Sequence, residues 1–123
     1  MFSRISLSDD SSYIILEVTG EITRETIMPE NIKAHKLGKE MGIRKFLVDA
    51  TGARNTETVL NNYKIAYEDI RHAPEMDVTA IVAMLVSPDD HSHDFFETTA
   101  KNSGLNVNLF RDKQKAIEFL NSQ

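Results

Sequence analysis

The sequence predicts an α/β fold: a single mixed, mainly parallel five-stranded sheet with four helices, in the order β-β-α-β-α-β-α-β-α. Three observations carry this. A short alternating run and a second run rich in β-branched residues open the chain, separated only by the polar turn Ser8-Asp9-Asp10-Ser11-Ser12, which calls for an antiparallel hairpin. Apolar runs then alternate with segments of helical period, the pattern of strands joined by crossover helices. Finally, Phe46-Leu47-Val48 is continuously apolar and Val78 to Val86 is the most apolar run in the chain and carries no charge, as in strands covered on both faces.

Each element has its own local reason. Residues 2–7 alternate, with Ile5 and Leu7 on one face and Arg4 and Ser6 on the other. Tyr13 to Thr19 forms the second strand, and Gly20 ends it. Residues 23–41 are helical, with Ala34, Leu37 and Met41 as the inward stripe, a break or restart near Met28 before Pro29, and Gly42 as C-cap. Residues 45–50 form the third strand and 51–55 a loop. Thr56 then caps a long helix whose Val59, Tyr63, Ala66 and Ile70 repeat at helical spacing. Val78 to Val86 reads as a central strand. Ser87-Pro88-Asp89-Asp90 opens the next helix, with serine as N-cap and proline at the first helical position. Phe95, Phe96, Thr99 and Ala100 give its buried side, and Gly104 ends it. Val107 to Phe110 is the last strand. Asp112 caps a final helix with Ala116, Ile117 and Leu120 facing inward.

Composition limits the function classes. With 123 residues, 41% hydrophobic and 27% charged, the chain suits one domain over 1–123 with its own core. Fourteen basic against nineteen acidic residues give a net charge of −5, which argues against a nucleic-acid or anionic-membrane binder. No apolar run approaches the roughly 18 residues of an integral membrane segment, and the opening MFSRISLSDD has no signal-like apolar region, so a soluble, cytoplasmic protein is expected. The absence of cysteine removes disulfides, thiol catalysis and thiolate metal sites.

Several phrases resemble the STAS domain family, the SpoIIAA-like fold of bacterial anti-sigma-factor antagonists. They are Val18-Thr19-Gly20-Glu21-Ile22 after the hairpin, Phe46-Leu47-Val48-Asp49-Ala50-Thr51-Gly52 leading towards a helix, and the tail Val107-Asn108-Leu109-Phe110-Arg111-Asp112 before Ala116-Ile117-Glu118-Phe119-Leu120. The tail looks most like the stand-alone STAS or SEC14-like branch. The resemblance implies a non-enzymatic regulatory domain that meets a protein partner in a bacterial cytoplasm, and its SEC14-like side suggests a carrier or sensor for an apolar, lipid-like molecule. The family's Asp-Ser-(Ser/Thr)-Gly phosphorylation phrase is missing: Ala53-Arg54-Asn55-Thr56-Glu57-Thr58 stands in its place. A phosphorylation switch is therefore not expected here.

Chemistry-bearing residues gather between Thr51 and Thr58. A loop leaving the carboxyl end of a parallel strand and entering a helix is where ligands and anions sit in open α/β sheets. Thr51, Gly52, Arg54, Asn55, Thr56 and Thr58 are the candidate ligand- or partner-binding residues; the plainer assignment is a capped helix with Asp49 and Thr51 bonding the loop. Tyr63, Tyr67, Phe95 and Phe96 either fill the core or line an apolar groove between two helices. His91 and His93 would diverge by about 200° on a helix, so no metal site is expected in that acidic cluster. His35 and His72 read as surface residues. No nucleophile elbow, phosphate loop or catalytic constellation is present, and no catalytic residue or cofactor is assigned. The open sheet edges and the many Met and Ile residues favour a homodimer.

Overall fold

A computed structural model describes residues 1–123. Strands β1 (Phe2–Leu7) and β2 (Ile14–Ile22) form the hairpin, Phe2 opposite Thr19 and Leu7 opposite Ile14. Helix α1 (Arg24–Met41) leads to β3 (Lys45–Asn55), helix α2 (59–72) to β4 (Ile81–Leu85), and α3 (Asp94–Asn102) to β5 (Asn106–Phe110). Helix α4 (Lys113–Asn121) closes the chain. The five strands lie in sequential order, antiparallel only between β1 and β2 and parallel at the three other pairings.

This order fixes the layers. Right-handed crossovers between strands placed side by side in sequence put every connecting helix on the same face. Alternate residues of the sheet accordingly serve two cores. Ile14, Leu16, Phe46, Val48, Met84 and Val107 face α1, α2 and α3. Tyr13, Leu47, Ala83 and Leu85 face the opposite way and are covered by Ala116 and Leu120 of α4.

Local chemistry explains most of the boundaries. Thr23 and Thr26 make a capping box at the start of α1, and Gly42 ends it in the left-handed conformation at φ 70°. Gly38 lets α1 approach β3: a Cβ there would stand 2.7 Å from the Ile43 carbonyl oxygen and 2.8 Å from the Phe46 ring. The Asp112 side chain accepts from the Lys115 N–H at 3.0 Å and starts α4.

Several expectations are corrected. Pro29 does not interrupt α1; it lies on the exposed face, while Ile27 on the preceding turn is held against the sheet. The inward face of α1 is Ile27, Ala34, His35 and Gly38, with Leu37 half-buried and Met41 exposed. β2 continues through Gly20 to Ile22 because β3 runs on beside it, Thr19 opposite Gly52 and Ile22 opposite Asn55. β4 is shorter than the apolar run, with Val78 and Thr79 in a turn, and the middle strand is β3. Helix α3 begins at Asp94, not Ser87: the Ser87 hydroxyl donates to the Thr51 carbonyl at 2.7 Å instead of capping. In α2 the residues Ile65–Asp69 form a π-helical turn, and the buried side is Asn62, Ile65, Ala66 and Ile70. Val59 and Tyr63 lie outside that stripe and are exposed.

His35, expected at the surface, is buried under α1. Its ring stacks on Phe46 at 4.4 Å, and Nδ1 accepts the Asp77 N–H at 3.0 Å. Burial holds its pKa down to about 4, against the weaker pull of Asp77. In the unfolded chain the ring takes up a proton near pH 6.5. The unfolded state thus binds more protons between those values, and stability falls as pH drops through the window, by roughly 3 kcal/mol in all. Urea melts from pH 7 to pH 4 should show this loss, and His35→Gln should flatten it. The core makes a second demand. Met84→Asp places an unpartnered charge in an interior strand and should cost at least about 3 kcal/mol, seen as a collapsed melting temperature, whereas half-buried Ile81→Asp should cost less.

Candidate functional site

The stretch from Thr51 to Thr58 lies at the carboxyl end of the sheet, and its first half is strand. Thr51, Gly52, Arg54 and Asn55 belong to β3; the β2 tail pairs with Gly52 to Asn55, and Thr51 sits at the register shift just before them. The Thr51 N–H and hydroxyl both donate to Asp49 Oδ1, at 3.1 and 2.7 Å. Arg54 is largely exposed, its guanidinium 3.9 Å from Asp90. Asn55 turns inward. Its Nδ2 donates to Asn62 Oδ1 at 2.8 Å, its Oδ1 accepts the Glu57 N–H at 2.9 Å, and its backbone N–H donates to Ser92 Oγ at 3.0 Å.

The helix cap also differs from expectation. Thr56 donates from both its N–H and its hydroxyl to the Ile22 carbonyl, which continues the β2–β3 pairing. Thr58 is the cap, with Oγ1 accepting the Asn61 N–H at 3.1 Å. Sequence favoured Thr56 because both threonines suit the role; only the reach of Ile22 separates them.

Glu57, which sequence reasoning passed over, binds this corner together. Its carboxylate accepts the Arg24 N–H at 2.7 Å, the Asn61 side-chain amide at 2.9 Å and the Thr58 N–H at 2.9 Å. Those hydrogen bonds, the one from Arg24 foremost, hold its pKa below the usual carboxylate value. Arg24 also grips Asp69 with two 2.7 Å bonds, tying the start of α1 to the π turn. The backbone N–H groups of Asn55, Thr56, Glu57 and Thr58 are all engaged internally, and Glu57 already supplies the negative charge that the helix entrance favours.

The four aromatic candidates do not share one groove. Tyr63 and Phe95 are exposed, while Tyr67 is half-buried and stacks on Tyr63 at 4.3 Å. Phe96 alone of the four lines a cavity of about 80 Å³ between the sheet and helices α1 to α3. Leu16, Val48, Ile65 and Met84 form part of its wall, and Asn55, Asn62 and His93 converge at the carboxyl end of β3. His93 is 1% exposed; its Nε2 lies 3.1 Å from the Ala53 carbonyl and 3.2 Å from Asp90 Oδ2. Sequence reasoning missed Asn62 and His93 as site residues. The signal was present: His93 precedes Phe96 and Ala100 at i+3 and i+7, and Asn62 precedes Ala66 and Ile70 at i+4 and i+8.

The remaining acidic cluster is laced together at the surface. His91 Nδ1 stands 2.9 Å from Asp94, which also receives Arg111 at 2.9 Å; these partners, His91 first, keep the Asp94 carboxyl below its ordinary value. No three His, Cys, Asp or Glu side chains are grouped to hold a metal ion, and no helix is long and apolar enough to cross a membrane.

Solved structures identify the architecture. An uncharacterized DUF3478-family protein from Shewanella loihica PV-4, described as having a SpoIIAA-like fold, superposes with a TM-score of 0.50 at 18% identity, covering 97% of this chain and 92% of that one. The chain has the SpoIIAA-like fold. The anti-sigma factor antagonist SpoIIAA in its unphosphorylated form agrees, with a TM-score of 0.55 at 10% identity over 99% of this chain and 100% of that one. No protein-family model and no curated protein matches the sequence.

The cap assignment is directly testable. Thr58→Ala should cost about 1 kcal/mol through the lost N-cap, and Thr56→Ala less, because the Thr56 N–H keeps its bond to Ile22. Denaturant midpoints of the two variants, compared at equal slope, check the order.

Proposed function

We propose that this chain is a non-catalytic, STAS-like interaction domain of a bacterial cytoplasm, and that it docks a protein partner on the first turn of α2 and the adjoining end of β3. One observation carries the reading. Val59 is 67% exposed, Leu60 60%, Tyr63 47%, and Phe95 on the neighbouring helix 43%. Large apolar side chains gathered on adjacent helices, with Arg54 and Thr58 at their border, have the make-up of an interface centre with a polar rim. Burying them would add about 25 cal/mol for each Å² removed from water. The unphosphorylated SpoIIAA likeness supports a regulatory role of this kind, and the absent Asp-Ser-(Ser/Thr)-Gly phrase supports one without phosphorylation at Thr56 or Thr58.

A photo-crosslinking residue at Leu60, introduced in the native cell, should yield a discrete adduct that the same probe at exposed Lys36 does not. Leu60→Asp should abolish recovery of that partner while leaving the melting temperature nearly unchanged. Equal labelling at both positions would sink the proposal. Light scattering on the isolated chain separates a foreign partner from a second copy: a mass twice that of one chain, returned to a single chain's by Leu60→Asp, would assign the patch to a homodimer.

A second reading rests on the cavity. Sixteen of its 23 lining residues are hydrophobic, and a void of about 80 Å³ far exceeds the 10–15 Å³ that one water needs. A carrier or sensor for an apolar molecule would use this space.

A further inference from the structure

The two edges of the sheet are finished differently. At β5 the Phe110 carbonyl accepts the Val86 N–H, so the neighbouring Leu109 N–H points away from β4. That N–H donates to the Glu97 carboxylate of α3 at 2.6 Å, and a charged side chain thus covers the edge. β1 has no such cover. The Ser8 N–H donates to the Tyr13 carbonyl at 3.0 Å, which makes Ser8 and Tyr13 a hydrogen-bonded pair. Pair types alternate along an antiparallel ladder, so Phe2, Arg4 and Ser6 turn their backbone groups to β2. Ser3, Ile5 and Leu7 point theirs the other way, with no strand beyond them. The usual guards of an open edge are also missing. β1 holds no proline, glycine or bulge, and its one charge, Arg4, reaches sideways to Glu17 of β2 at 3.8 Å.

A second copy of the same strand completes this edge in one register. Joining like faces of two sheets requires the two-fold axis to pass beside a residue, not between two. With the axis at Ile5, Ile5 meets its own copy and Ser3 meets Leu7, so every outward N–H and carbonyl finds a partner. With the axis at Arg4, two guanidinium groups stand directly opposite and Leu7 falls beyond the end of the other strand. With the axis at Ser6, Ser3 is left out. The side chains agree with the first choice. Ile5 and Leu7 are half-buried against the larger core, and their face continues into the same face of the second copy. Arg4 of one copy lies opposite Ser6 of the other, so no like charges oppose directly. We propose that two copies of the chain pair antiparallel through β1, with the axis at Ile5, and join their sheets into one. The contact uses neither the exposed turn of α2 nor the cavity.

One six-residue strand makes a small contact, so the dimer is a weak one that forms between about 10 µM and 1 mM. Sedimentation equilibrium over that range should show monomer passing to dimer. Amide exchange read by NMR should slow at least threefold at Ser3, Ile5 and Leu7 across the same range, while Arg4 and Ser6, already bonded to β2, stay unchanged. The chain has no cysteine, so the register can be read chemically. Arg4 and the other copy's Ser6 form a non-hydrogen-bonded pair with Cα atoms about 4.5 Å apart, within disulfide range, whereas the two Arg4 positions are diagonal and about 7–8 Å apart, too far to bridge. An equal mixture of Arg4→Cys and Ser6→Cys proteins in a glutathione buffer should give the mixed disulfide in at least tenfold excess over either homodisulfide. Ile5→Pro removes an outward N–H without breaking a bond to β2, and should return the protein to a monomer. If that variant fails to fold, the mixed disulfide still decides. Leu60→Asp should leave the dimer intact, which separates it from one formed through α2. A monomer throughout the range, or a dimer dissolved by Leu60→Asp, would overturn the proposal. An excess of either homodisulfide would overturn the axis at Ile5. Protection of the β1 amides only on adding cell extract would give the edge to a strand of another protein and overturn the second copy.

Discussion

Parallel strands in one sheet are joined by right-handed crossovers, and here each strand lies beside its sequence neighbour, so α1, α2 and α3 have no choice of face. Everything else answers to that crowding. Three helices share one side of five strands, and only α4 covers the other. The crowded side is met unevenly. Gly38 lets α1 settle against Phe46, whereas α2 passes through a π turn and lifts its first residues off the sheet. The cavity and the exposed apolar turn both belong to this crowded side.

The carboxyl edge of that layer is held by charge. Arg24 reaches Asp69 with its side chain and Glu57 with its backbone, so the entrances of α1 and α2 are fastened by one residue. Asp69 is mostly buried in this pair, where a bidentate guanidinium contact counts for more than at an open surface. The fastening explains how the exposed turn Val59–Tyr63 stays helical without burying its apolar side chains. It is anchored by its cap and by Glu57.

Local signals recovered what local chemistry decides. The hairpin, the helix end at Gly42, the cap at Asp112 and the buried pair Ala116 and Leu120 all follow from residues within a turn of each other. Distant partners decided the rest. Thr51 to Asn55 has the composition of a turn, yet pairing of Gly52 to Asn55 with Thr19 to Ile22 carries the strand through it. Ser87-Pro88-Asp89-Asp90 has the composition of a helix start, yet Ser87 is drawn to Thr51. A lone histidine carries no mark of burial; His35 depends on the Asp77 N–H and His93 on the Ala53 carbonyl, each some forty positions away. Of the candidate site, the sequence showed the place and the residue types but not that most of their polar groups are already engaged.

The sequential strand order also bears on how the chain is made. β2 pairs with β1, β3 with β2, β4 with β3 and β5 with β4, so each strand adds to an edge that has already been synthesised. Contacts between successive elements carry a small loop-closure cost and favour rapid folding. A chain emerging from its amino end can therefore lengthen the sheet one strand at a time, with no strand waiting for a partner still to come. What stays uncovered until the end is the face of Tyr13, Leu47, Ala83 and Leu85, which only α4 can shield. The nine-residue helix α4 is thus the step that covers the second face of the sheet.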